Sequence, residues 1–172
     1  MKQKILILVC FLFLYNCIGI AKPPEVLKTF KSISKEKKLR FEFTGFGFYN
    51  SEIALIRKKI LEKGYSEDDQ SNVLLEIILE EQEHKYFHRG LHALNFILSL
   101  FTLGIFPYHV RTEHKITYRI FEKMKSPEET SHKLVLDQWR GILLIPFTPF
   151  FWPSSAFEKS LINSIDTLEK TK

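Results

Sequence analysis

From His109 to Phe121 the chain alternates without a break. Val110, Thr112, His114, Ile116, Tyr118 and Ile120 fall on one side, and Arg111, Glu113, Lys115, Thr117 and Arg119 on the other. A period of two over thirteen residues is a strand with one face buried and one wet. It commits the chain to a sheet, and a sheet needs partners. Leu39–Phe48 supplies one, with Leu39, Phe41 and Phe43 set against Arg40, Glu42 and Thr44. Gly45 and Gly47 mark a bulge or a close backbone approach near its end. Residues 73–86 begin apolar and turn polar, as a long strand half buried would. His132–Trp139 reads as a fourth strand, after the turn Lys125-Ser126-Pro127-Glu128-Glu129.

Two helices complete the pattern. One is capped by Asn50 or Ser51, buries Ile53, Ile56, Ile60 and Leu61, and stops at Gly64. The other begins at Ser155, and places Phe157, Leu161, Ile165 and Leu168 on one face. The expected fold is α+β: a small, mainly antiparallel sheet of about four strands with two helices on one face, in the order β-α-β-β-β-α. The first strand–helix–strand unit would be a right-handed parallel crossover.

The chain starts with Lys2 and Lys4, followed by an apolar run from Ile5 to Tyr15. This run fits the h-region of an export signal and falls short of the roughly 20 residues of a membrane-spanning helix. Leu14-Tyr15-Asn16-Cys17 resembles a lipobox, the site at which bacterial lipoproteins are acylated on cysteine and cleaved just before it. Leu14 matches the pattern and Asn16 departs from it. The resemblance implies that residues 1–16 are a signal peptide, that Cys17 is the lipidated first residue, and that membrane lipid is its partner. Diacylglycerol and a third acyl chain exceed the two signals needed for stable anchoring. Cys10 would leave with the signal, so no disulfide forms within the mature chain.

Residues 17–38 read as a tether, stiffened by Pro23-Pro24 and kept wet by lysines. At about 3.3 Å per extended residue, twenty residues reach about 65 Å, enough for residues 39–172 to face a membrane with any side. Removing the two leader lysines leaves 23 Lys and Arg against 20 Asp and Glu. An excess this small, gathered largely at Lys28–Arg40, argues against a nucleic-acid partner.

Two segments carry no Asp, Glu, Lys or Arg: 93–108 and 141–157. Each is shorter than a good membrane span, and Pro146, Pro149 and Pro153 break the second. A helical hairpin through the membrane is one reading of the pair. In a second both fold over the sheet as ordinary core, and in a third both leave the same end of the sheet and form one apolar cap of Phe96, Phe101, Phe106, Phe147, Phe150, Phe151 and Trp152. Such a cap would dock on a membrane or on another envelope protein.

Thr102-Leu103-Gly104 with Pro107, a following strand pair, then Trp139, Gly141 and Pro146 resemble a group of bacterial envelope lipoproteins of uncharacterised function. The resemblance covers roughly residues 40–170. It implies an envelope lipoprotein with a small α+β domain and carries no catalytic residue; the expected location is the exported side of a membrane, at the outer membrane.

Chemistry is sparse. His84, His88 and His92 stand four residues apart and are the one candidate metal set. In an extended strand the outer two would lie about 26 Å apart, and a solvated strand end explains them as well. No phosphate-binding loop, nucleophile elbow or paired-cysteine motif is present in the sequence. The expectation is a lipid-anchored, non-enzymatic interaction protein without cofactor.

Overall fold

A computed structural model describes residues 17–28, 38–83, 86, 88–122 and 126–167. Seven strands form a mixed sheet: β1 (Cys17–Ala21), β2 (Glu25–Lys28), β3 (Lys38–Thr44), β4 (Ser66–Glu67), β5 (Val73–Gln82), β6 (Tyr108–Glu122) and β7 (Glu128–Arg140). Their order is β1-β7-β6-β5-β3-β4, with β2 also on β7. Three α-helices, α1 (Asn50–Glu62), α2 (Arg89–Phe101) and α3 (Pro153–Thr167), are joined by a 3₁₀ helix at Ile142–Phe147. The class is α+β as expected, with more strands than four. Two of the added strands, β1 and β2, lie in the stretch read as a tether. They pair with β7 on either side of Lys22-Pro23-Pro24, where proline cannot donate to a ladder. The third, β4, is two residues long, too short to show a period.

The chain divides into two compact units. The larger comprises residues 22–82, 113–135 and 158–172. Here the alternation does what the sequence required. Leu39, Val73, Leu75, Ile77 and Leu79 are buried, and the antiparallel register sets Leu75, Ile77 and Leu79 opposite Ile120, Tyr118 and Ile116. The β3–β5 pairing is parallel, as a strand–helix–strand crossover demands. Both helices cover this face. Arg57 of α1 lies over the Phe43 ring, and Tyr118 Oη meets Ser164 Oγ of α3 at 2.8 Å. Lys63 and Asp166 bridge the two helices at 3.1 Å. Ile56, Ile60, Leu161 and Ile165 are buried, each contributing roughly 1.5–3 kcal/mol by leaving water. Leu168 lies outside the described residues.

Two local expectations are refined. Tyr49, not Asn50 or Ser51, occupies the N-cap of α1, and no side chain caps it. Gly45 makes the close approach: its φ is +82°, and a Cβ there would stand 2.0 Å from the Leu79 carbonyl oxygen.

The smaller unit comprises residues 1–21, 83–112 and 136–157, described from Cys17. It contains β1, α2, the first residues of β6, the last of β7 and the 3₁₀ helix. β5 stops at Gln82, and α2, unforeseen in the sequence, begins at Arg89. Gly90 falls in its first turn, where no intrahelical N–H bond is lost. Its polar residues His92, Asn95 and Ser99 fall on one stripe, which is the half-buried side, and its apolar residues face outward, the reverse of an ordinary surface helix.

Candidate functional site

The two charge-free segments meet in the smaller unit, and the Thr102-Leu103-Gly104 phrase explains how. Thr102 Oγ1 donates to the Leu98 carbonyl at 2.7 Å and accepts from the Phe106 N–H at 3.2 Å. Leu103 and Gly104 then take φ of +50° and +78°, and Gly104 N–H returns to Ser99 O at 2.7 Å. This left-handed turn ends α2. The Gly104 carbonyl in turn accepts the Ile142 N–H at 2.9 Å, which joins the first segment to the second. Gly141 is required there: a Cβ would lie 3.0 Å from Gly104 O and 3.1 Å from Pro107 Cα.

Apart from Phe157, neither segment contributes to the buried apolar core. No residue of α2 or of the 3₁₀ helix is buried. Phe101 and Phe150 are 85% and 80% exposed, and Phe96, Phe106, Phe147, Phe151 and Trp152 are all exposed. Of 22 exposed large apolar side chains among the described residues, 17 belong to this unit. Of the 16 buried ones, only Leu136 and Phe157 do, so the unit is turned largely outward. Leu91, Leu94, Leu100, Leu103 and Leu143 join the seven expected cap residues. They were legible as apolar, but only the helix and turn set them beside the aromatic side chains.

A hairpin crossing a bilayer is not formed. No helix among the described residues is long and apolar enough to cross a membrane. The 13 residues of α2 rise about 20 Å, against a hydrocarbon thickness of about 30 Å.

A polar seam braces the unit and was not foreseen. Asn95 Nδ2 donates to Pro107 O at 3.1 Å, and its Oδ1 accepts the His109 N–H at 3.2 Å, tying α2 to β6. His92 stacks on Tyr86 with ring centroids 3.7 Å apart, and its Nε2 lies 2.9 Å from Tyr108 Oη. Burial, then the neighbouring Tyr86, raise the Tyr108 pKa. Asp137 joins His109 Nε2 at 3.0 Å and Arg111 Nη2 at 3.1 Å. A histidine oriented by a carboxylate is part of a nucleophilic site, yet among the described residues no hydroxyl or thiol hydrogen-bonds to His109. Arg111 shares the carboxylate, which makes the trio a strap between β6 and β7.

Of the three spaced histidines, His84 lies outside the described residues. His88 precedes α2 and His92 lies one turn on. Both line a cavity of about 270 Å³ with Tyr86, Asn95, His109 and Trp139. Among the described residues no group of three or more His, Cys, Asp or Glu could hold a metal.

Cys17 opens β1 and pairs with Arg140, the last residue of β7. Burial raises its thiol pKa, and the Arg140 guanidinium, hydrogen-bonded to it, opposes the rise. Arg140 also lines a second cavity of about 340 Å³ with Phe96, Leu100, Leu103, Tyr108 and Gly141.

No protein-family model and no curated protein matches the chain. Among solved structures it is similar to rare lipoprotein B from Shewanella oneidensis, with 10% identity over 77% of this chain and 96% of that one and a TM-score of 0.41. It is also similar to a minor lipoprotein from Acinetobacter baumannii, with 11% identity, 78% and 90% coverage and a TM-score of 0.44. A PDZ domain protein from Parabacteroides distasonis gives 12% identity, 76% and 34% coverage and a TM-score of 0.34. Scores below 0.5 are partial likenesses in the course of the backbone and say nothing of activity.

Proposed function

We propose that this protein is exported, acylated on Cys17 and held in the cell envelope, where it works without catalysis by docking through its apolar cap. The observation that carries the docking is the exposure of all seven cap aromatic side chains in a unit whose two segments contain no charged residue. Exposed apolar patches of this kind mark partners or membranes. The anchor is supported by the basic, then apolar leader that ends at Leu14-Tyr15-Asn16-Cys17.

Intact mass of the membrane-purified protein, with and without an inhibitor of lipoprotein signal peptidase, tests the anchor. A mass of residues 17–172 plus acyl chains, replaced by a larger precursor under inhibition, is expected. An unmodified Cys17 with residues 1–16 still attached refutes it. Replacing Phe150 and Trp152 together with Ser tests the cap: membrane or partner binding falls while the fold persists. Unfolding of that variant would mean that these side chains serve as core.

A further inference from the structure

A lipidated cysteine usually hangs from a solvated linker, which lets a domain turn freely. Here the linker is missing. Cys17 is itself the first residue of β1, paired with Arg140. Two residues on, at about 7 Å of extended chain, Gly19 donates its N–H to Phe151 O at 2.7 Å. A Cβ on Gly19 would fall 2.5 Å from Pro153 Cα, so β1 runs in backbone contact with the segment that carries Trp152. On the other side, Arg140 leads directly into Gly141, which rests on Gly104 and Pro107 of the first apolar segment. Both halves of the cap therefore reach the cysteine.

We infer that the occupant of the apolar cap is the lipid leaflet that receives the acyl chains of Cys17, with the smaller unit lying in its interface. The inference rests on the acylation proposed above and goes beyond it by fixing which face meets lipid. Three observations carry it. The anchor point and the cap belong to one compact unit with no free chain between them. From Gly90 to Tyr108 and from Gly141 to Phe157 there is no charged residue to exclude from the acyl boundary. Trp, Phe and Pro at exposed positions suit the headgroup level, where rings gain from both phases. Arg140 stands at the anchor itself, and among the described residues it faces no carboxylate within ion-pair distance; beside an acylated Cys17 it would meet lipid phosphate. Among the described residues of the larger unit, the exposed large apolar side chains are Val26, Leu27, Phe48, Leu61 and Phe121 alone.

The chain's two tryptophans make this measurable. The full-length lipoprotein, its acylation checked by intact mass, is reconstituted into vesicles of phosphatidylethanolamine and phosphatidylglycerol with bromines near the headgroup end of the acyl chains. Trp152 is read in a Trp139→Phe variant, or, should that variant fail to fold, as the difference between the wild type and Trp152→Phe. Blue-shifted Trp152 emission that loses most of its intensity in brominated vesicles is expected. Unquenched, water-like Trp152 emission in a protein whose Cys17 is acylated overturns the inference and leaves the anchor standing. The cap would then face an aqueous partner. A mass without acyl chains refutes the anchor and this inference with it.

Discussion

His132 sits on β7 in the larger unit, 1% exposed and edge-on to the Tyr118 ring at 6.2 Å between centroids. Burial disfavours the imidazolium and pushes its pKa down to about 4, from an ordinary 6.5. A group whose folded pKa is depressed stays neutral in the fold while the unfolded chain already binds a proton. Stability is thus full above pH 6.5 and falls as pH drops toward 4. Two pKa values 2.5 units apart correspond to a total of about 3 kcal/mol, of which about 2 kcal/mol is lost by pH 5. With a urea slope of about 2 kcal/mol/M, the midpoint moves down by about 1 M between pH 7.5 and pH 5. Urea unfolding followed by far-UV circular dichroism at several pH values, on the wild type and on His132→Gln, isolates the term. The carboxylates titrate in both proteins, so only the difference in slope belongs to His132. Equal pH dependence in the two proteins would refute the assignment, whatever the absolute stability of the variant.

The remaining expectations contrast the two units. Leu161→Ala, at a fully buried position of α3, should cost about 2–5 kcal/mol in urea unfolding, whereas Phe150→Ser, 80% exposed, should stay within about 0.5 kcal/mol. Gly45→Ala should cost more than about 1 kcal/mol, because φ of +82° strains an L-residue and its Cβ meets the Leu79 carbonyl; a neutral effect would refute the close approach. Tyr118→Phe removes the hydroxyl that meets Ser164 and should cost about 1 kcal/mol, with Ser164 Oγ still donating to Leu161 O at 2.7 Å. Asp137→Asn weakens the bonds to His109 and Arg111 and should speed amide exchange at residues 109–111 selectively, with little change at residues 73–79.

Legibility followed the period. His114–Ile120 and Phe157–Ile165 declare which side is inward because polar residues fill the other, and the structure buries the apolar side, with Thr117 buried as well; Val73–Leu79, with Leu74 and Ile78 on its second side, shows only that it is apolar. Other segments hide their state. α2 has its contrast reversed, with His92, Asn95 and Ser99 on the half-buried side and leucine and phenylalanine outside, so a charge-free run did not announce a helix. β1 and β2 are five and four residues long and flank two prolines, which reads as linker until β7 supplies partners. The seven aromatic cap residues were legible as a set because they cluster beside proline. The strap of His109, Arg111 and Asp137 was not, since it joins residues 26 or more apart through ordinary strand neighbours.

The placement of polar residues bears on why the apolar residues of the smaller unit stay outside. Burying a side chain requires an opposing surface, and alternation supplies it in a sheet by turning every second residue the same way. In the larger unit that logic leaves a single inward face, matched by α1 and α3. In the smaller unit α2 turns the stripe of His92, Asn95 and Ser99 inward, where His92 and Asn95 bond to β6, and leaves its leucine, isoleucine and phenylalanine side chains exposed. Among the described residues nothing covers those side chains. An exposed apolar surface of this extent marks a partner or a membrane. Were Cys17 acylated as proposed, its chains would leave the fold two residues from the Gly19–Phe151 contact, beside that surface.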